Sequence, residues 1–148
     1  MRKLSTLAAV YLGIGLIAGV YYREFTRLHD YDGDTQLSTV HTHALVLGVI
    51  VPLVLIALSA SISIDTHRRF TAFFITYTVA LTWMIAHMII KGSWQVLNPT
   101  GEYPAALAGI SGIGHILMTV ALILLLMIVK QRVRLFERTQ RSSSAPAT

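Results

Sequence analysis

Leu37–Ala60 reads LSTVHTHALVLGVIVPLVLIALSA, and this stretch decides the fold. It contains no Asp, Glu, Lys or Arg. It is also long enough to supply the roughly 20 residues with which a helix crosses a hydrocarbon core about 30 Å thick. Three further apolar runs accompany it, at about Leu4–Val20, Thr71–Ile90 and Ala105–Val129. Backbone polar groups in lipid must be paired inside the protein, so a spanning segment is a helix or a strand of a closed barrel. None of the runs shows the alternation over about ten residues that marks a barrel strand. The pattern predicts an all-α, integral membrane four-helix transmembrane bundle over residues 1–137. The polar stretch 138–148 is expected to be a disordered cytoplasmic tail.

Composition points the same way. The 148 residues are 54% hydrophobic and 13% charged, against roughly a quarter charged in a soluble domain. Cysteine is absent, which excludes disulfides, thiolate metal sites and cysteine nucleophiles. Met1-Arg2-Lys3 followed by an apolar run also fits a signal peptide. No small-x-small cleavage pattern precedes Tyr21-Tyr22-Arg23, so the run is read as a retained first helix.

A pI near 9.9 would suit a nucleic-acid binder, but the placement of the charges explains it through topology. Of the 12 Lys and Arg residues, Arg23, Arg27 and Lys91 fall on one side of the spans. The others (Arg2, Lys3, Arg68, Arg69, Lys130, Arg132, Arg134, Arg138 and Arg141) fall on the other. The excess of Lys and Arg marks the cytoplasmic side, so both termini are expected inside. Glu24, Asp30, Asp32, Asp34 and Glu102 lie in the outer segments. Tyr21, Tyr22, Trp94 and Tyr103 fall at the outer boundary, where aromatic belts form. The expected setting is a bacterial cytoplasmic (inner) membrane, crossed several times. The lipid bilayer is then the main partner, and nucleic acid is not one.

Ionisable residues inside a membrane are costly and are functional candidates by default. His41 and His43 fall in the second span, His87 in the third and His115 in the fourth, whereas His29 and His67 fall in loops. At 1.5 Å per residue, His41 and His43 lie roughly 6–9 Å below the outer end of their helix. By the same arithmetic His87 lies about 5–8 Å deep and His115 roughly 13–15 Å deep. Three helices thus bring imidazoles to the outer half of one bundle.

Residues two apart on a helix point about 200° apart, so His41 and His43 serve two faces rather than one metal ion. Ala108, Ser111 and Gly112 share the face of His115, and Gly48 that of His41. Such small residues leave room for a flat macrocycle, and they equally allow close helix packing. Haem iron takes axial histidine, and four-helix bundles build such sites from facing helices. Propionates would meet Arg23, Arg27 or Lys91 at the boundary. Cu or Zn held by histidine with Met84, Met88 or Met118 is the alternative. The Arg23-Glu24 pair reads as an interfacial salt bridge rather than a catalytic pair.

Several motifs occur in order along the chain. They are Tyr22-Arg23-Glu24-Phe25-Thr26, Thr35-Gln36-Leu37-Ser38-Thr39-Val40-His41-Thr42-His43, Leu47-Gly48, Lys91-Gly92-Ser93-Trp94-Gln95-Val96 and Gly109-Ile110-Ser111-Gly112-Ile113-Gly114-His115-Ile116-Leu117. In these the sequence resembles a small bacterial membrane family, the DUF2871 family. The resemblance implies a four-helix membrane fold and no particular activity. It rests on His41, His43 and His115 more than on His87. A shorter similarity, His-x-His followed by Leu-Gly, links the chain to histidine motifs of haem-copper oxidase-like and NnrS-like membrane proteins. In the oxidases, such a pair serves two haems on opposite faces of one helix.

The leading expectation is a small haem-b-binding membrane protein of cytochrome type, for electron transfer or for sensing a gas or haem. His43 and His115 are the expected axial pair. His41 and His87 form a second pair or a supporting shell. The alternatives are a Cu or Zn site for metal handling or oxidase assembly, and an accessory subunit without a cofactor. A redox partner, a respiratory complex or a second copy of the chain would be the protein partner. No nucleophile–base arrangement or phosphate loop is evident. If the chain is an enzyme, it is a haem-dependent oxidoreductase.

Overall fold

The computed structural model describes residues 1–143, and among them every long element is a helix. They are α1 (Arg2–Leu28), α2 (Leu37–Ile62), α3 (Phe70–Leu97) and α4 (Ala105–Ser143). A 3-10 turn, Ile64–Thr66, lies between α2 and α3. The most apolar stretches of the four helices have mean hydropathies of 1.8, 2.7, 1.8 and 2.6, and between 22% and 39% of each is buried within the bundle. Most of the apolar surface therefore faces outward, with Leu16, Ile17, Val20, Ile116 and Leu126 among the exposed residues. In water such patches would drive association, whereas lipid tails cover them at no cost. The fold is an all-α four-helix transmembrane bundle.

The helices outrun the apolar runs that announce them. Hydropathy marks the hydrocarbon layer, while the helix continues through the interface. α1 takes in Tyr21 to Leu28, and α3 takes in Lys91 to Leu97. At 1.5 Å per residue, the 39 residues of α4 extend well past a core about 30 Å thick. α4 also takes in Arg138–Ser143 of the expected tail. Glu137 and Arg141 stand four apart there, a spacing that supports an exposed helix. Residues 144–148 of that tail lie outside the described residues.

Arg2, Lys3, Arg68 and Arg69 mark one end of the bundle, here the basic end. Glu24 and Asp30 to Asp34 mark the other, the acidic end. α1 packs along α2, α2 on α3, and α3 on α4, while α4 also meets α2 along Val51–Ile62. Leu4, Leu37, Phe73, Tyr77, Leu81 and Ile128 are the fully buried centre. Lipid supplies no hydrophobic drive between helices, so close approach and polar pairs hold the bundle. A Cβ on Gly48 would fall inside the Tyr11 side chain, and one on Gly15 would come within 2.8 Å of Leu45. Tyr11 shares a hydrogen bond with Thr82 at 2.8 Å, and Tyr21 with Ser93 at 2.9 Å, tying α1 to α3.

Two polar devices fix α2. At the acidic end, the Thr35 hydroxyl donates to the Gly92 carbonyl at 2.8 Å. The Gln36 amide donates to Gln95 Oε1 at 2.9 Å, so a side chain from α3 caps the start of α2. Gly92 is needed because a Cβ would lie 2.5 Å from the Leu37 nitrogen. In mid-helix, Val46–Ile50 forms a π-helical turn, and the Val51 amide donates to the Val46 carbonyl. Pro52 has no N–H. The Leu47 carbonyl therefore loses both its α-helical and its π-helical donor. The Tyr77 hydroxyl donates to it at 2.7 Å.

Candidate functional site

The four span histidines have distinct surroundings. His41 turns toward α1, and a Cβ placed on Gly19 would meet its Cβ at 3.9 Å. Gly15, Gly19, Val20, Arg23, His41 and Leu45 line a cleft of about 330 Å³ there, with Leu16 and Glu24 completing it. The His41 Nδ1 is buried without a hydrogen-bond partner. Its Nε2 has only a long contact to the Thr42 hydroxyl, at 3.4 Å. A buried polar atom left unpaired costs free energy, and the His41 Nδ1 is such an atom.

His43 lies on the far side of α2, as the 200° separation requires. Its Nδ1 pairs with the Thr39 carbonyl at 2.9 Å. A carbonyl can only accept, so Nδ1 carries the proton and Nε2 keeps its lone pair. His87 repeats the arrangement on α3: Nδ1 pairs with the Trp83 carbonyl at 3.0 Å, and the ring stacks on Trp83 at 4.6 Å. Ligating histidines commonly show this anchoring of one nitrogen, which frees the other to bind. It is also a local helix contact, since His29 makes the same bond to Phe25 at 2.8 Å.

His115 is exposed on α4, and its side chain makes no hydrogen bond. A Cβ on Gly109 or Gly112 would meet nothing within 4 Å, so the space beside this helix opens outward. Gly114 has the packing role instead, since a Cβ there would come within 2.7 Å of Met84. The recess beside His43 is lined by Thr42, His43, Val46 and Leu47 and takes no residue from α4. Among the described residues, no three His, Asp or Glu side chains converge as a metal-binding group.

The boundary cations differ as well. Arg23 lines the His41 cleft and pairs with Glu24 at 3.0 Å. Lys91 stands 5.7 Å from the centre of the Tyr103 ring and does not line that cleft. Of the loop histidines, His67 bonds Gln131 at 2.7 Å and helps tie the α2–α3 turn to α4. Residues 1–132 match the profile of a family described as a protein of unknown function, DUF2871. The chain belongs to the DUF2871 family. No curated protein and no solved structure matches it. For this DUF2871 member, several shared-looking motifs have structural work: Thr35, Gln36, Gly92 and Gln95 dock α2 onto α3. What sequence reasoning missed is the part played by α1. Gly15 and Gly19, four apart on one face, are the signal that marks it.

Proposed function

We propose that this bundle is a small haem-b-binding protein of the bacterial cytoplasmic membrane, with both termini on the cytoplasmic side. It serves electron transfer or the sensing of a diatomic gas or of haem. The observation that carries this reading is His41. Its Nδ1 is buried and unpartnered, and the residue lines a cleft together with Gly15, Gly19 and Arg23. A volume of about 330 Å³ is at the lower end for a ligand pocket, and the cleft is open on one side. A flat ligand can therefore enter edge-on, with the rest of it in lipid.

Ligand count favours haem over Cu or Zn. Structural zinc takes four protein donors and catalytic zinc three, and no such group converges among the described residues. A porphyrin brings four donors of its own, so one or two imidazoles suffice. Bound haem would supply an iron that changes oxidation state. The chain would hold it with the His41 imidazole, with apolar walls from Leu16, Val20 and Leu45, and with the Arg23 guanidinium for its carboxylates. His43, His87 and His115 are further candidate ligands, each on a separate part of the bundle. Holding the haem with a single histidine would favour gas binding. Two favour electron transfer.

The test is an absorption spectrum of the full chain, expressed with ample haem and purified in detergent. A Soret band is expected, and it should weaken by about half or more in His41→Ala. A colourless protein, or full haem content in each of the His41, His43 and His115 alanine variants, would overturn the proposal.

A further inference from the structure

A groove of about 730 Å³ opens between α1 and α3 at the basic end. Arg2 and Lys3 stand at its mouth, Val10 and Ile14 form one wall, and Phe74 and Ile75 form the other. We propose that this groove binds one anionic phospholipid. Arg2 and Lys3 hold its phosphate, and one acyl chain lies along the groove. This inference is independent of the haem reading and of the side on which the termini lie.

Length, wall chemistry and charge each point to this occupant. α1 and α3 both start at the basic end and run side by side, as the Tyr11–Thr82 and Tyr21–Ser93 pairs show. The groove takes residues from Arg2 to Ile14 on α1 and from Thr71 to Thr82 on α3. At 1.5 Å per residue the walls are about 16–18 Å long. That is about half of a hydrocarbon core near 30 Å, the depth of one leaflet and of one acyl chain.

The walls are apolar despite their threonines. Thr6 donates to the Arg2 carbonyl at 3.0 Å, Thr78 to Phe74 at 2.8 Å and Thr82 to Thr78 at 2.8 Å. The hydroxyl protons of these three are thus used within their own helices, leaving methyl groups and hydrocarbon for the ligand, and the fourth lining threonine, Thr71, sits in the first turn of α3 at the basic end. A ligand with many polar atoms would find few free donors along this length. At the mouth, neither Arg2 nor Lys3 has an acidic partner among the described residues. Two unpaired cations at the headgroup level attract a negative phosphate.

The full chain, delipidated in mild detergent, is titrated with dioleoyl phosphatidylglycerol, dioleoyl phosphatidylcholine and glycerol 3-phosphate. Native mass spectrometry counts the adducts. One phosphatidylglycerol per chain is expected, preferred over phosphatidylcholine on the order of thirtyfold for two headgroup cations. Glycerol 3-phosphate, without chains, should not bind. The Arg2→Gln, Lys3→Gln variant should lower phosphatidylglycerol binding to the phosphatidylcholine level. Ile75→Trp, at an exposed wall position, should weaken both lipids at least tenfold, with helicity by circular dichroism unchanged. Equal binding of the two lipids by the unmodified chain would overturn the proposal. So would unchanged phosphatidylglycerol binding in the double variant, or glycerol 3-phosphate bound as tightly as the lipid. A lipid-free dimer that Ile75→Trp dissolves would assign the groove to a second copy instead.

Discussion

Tyr77 shows how one residue answers a problem set thirty positions earlier. Pro52 withholds an N–H, the π-helical turn diverts the Val51 amide, and the Leu47 carbonyl is left for the Tyr77 hydroxyl at 2.7 Å. Tyr77→Phe removes that donor and leaves a half-buried acceptor unpaired. Hydrogen bonds between membrane helices average about 0.6 kcal/mol, while an unsatisfied buried group costs about 1–3 kcal/mol. A loss of about 1–2 kcal/mol is therefore expected in reversible unfolding from detergent into SDS. Pro52→Ala supplies an N–H beside the same carbonyl, so in that background Tyr77→Phe should cost only a few tenths of a kcal/mol. Equal costs in the two backgrounds would show that the hydroxyl does not serve this carbonyl. π-helical turns recur at functional sites, and this one directly follows the segment that carries His41 and His43.

At the scale of the helix, glycines that look alike in the sequence separate into two kinds. Gly48 is in contact with Tyr11, where an added Cβ has no room, whereas Gly109 faces open space. Exchanging glycine for alanine in a helix interior gains up to about 1 kcal/mol from propensity. Gly109→Ala should realise that gain or leave stability unchanged. Gly48→Ala should lose about 1–3 kcal/mol, because overpacking outweighs the propensity term. Thermal unfolding in detergent separates the cases, and matching shifts for the two variants would contradict the proposed α1–α2 contact. The apolar runs revealed the existence and order of the four helices because a bilayer demands about 20 apolar residues per span. The ends were less legible, since interfacial residues such as Tyr21, Arg23, Lys91 and Trp94 belong to a helix without being apolar.

For the whole molecule, the imbalance of Lys and Arg sets the expected orientation. Asp32 is exposed at the acidic end, and Ser142 is exposed near the end of α4. Single cysteines at these positions, in a chain that has none of its own, should react with an impermeant maleimide from opposite faces of the membrane. Asp32→Cys should label in intact cells, and Ser142→Cys only after lysis. Labelling of both in intact cells would reject the orientation. By itself, the sequence determined the class, the number of spans and the histidines worth testing, because a bilayer imposes length and polarity rules on each segment separately. Only the tertiary structure decided which histidine has company. It set His41 against Gly19 of α1, turned His43 to the other face, and left His115 exposed on α4. The physical reason is that depth along a helix follows from residue number, whereas the neighbour a side chain meets depends on which helices pack together. Here close contacts such as Gly48 on Tyr11 and polar ties such as Thr35 to Gly92 bring those helices into place.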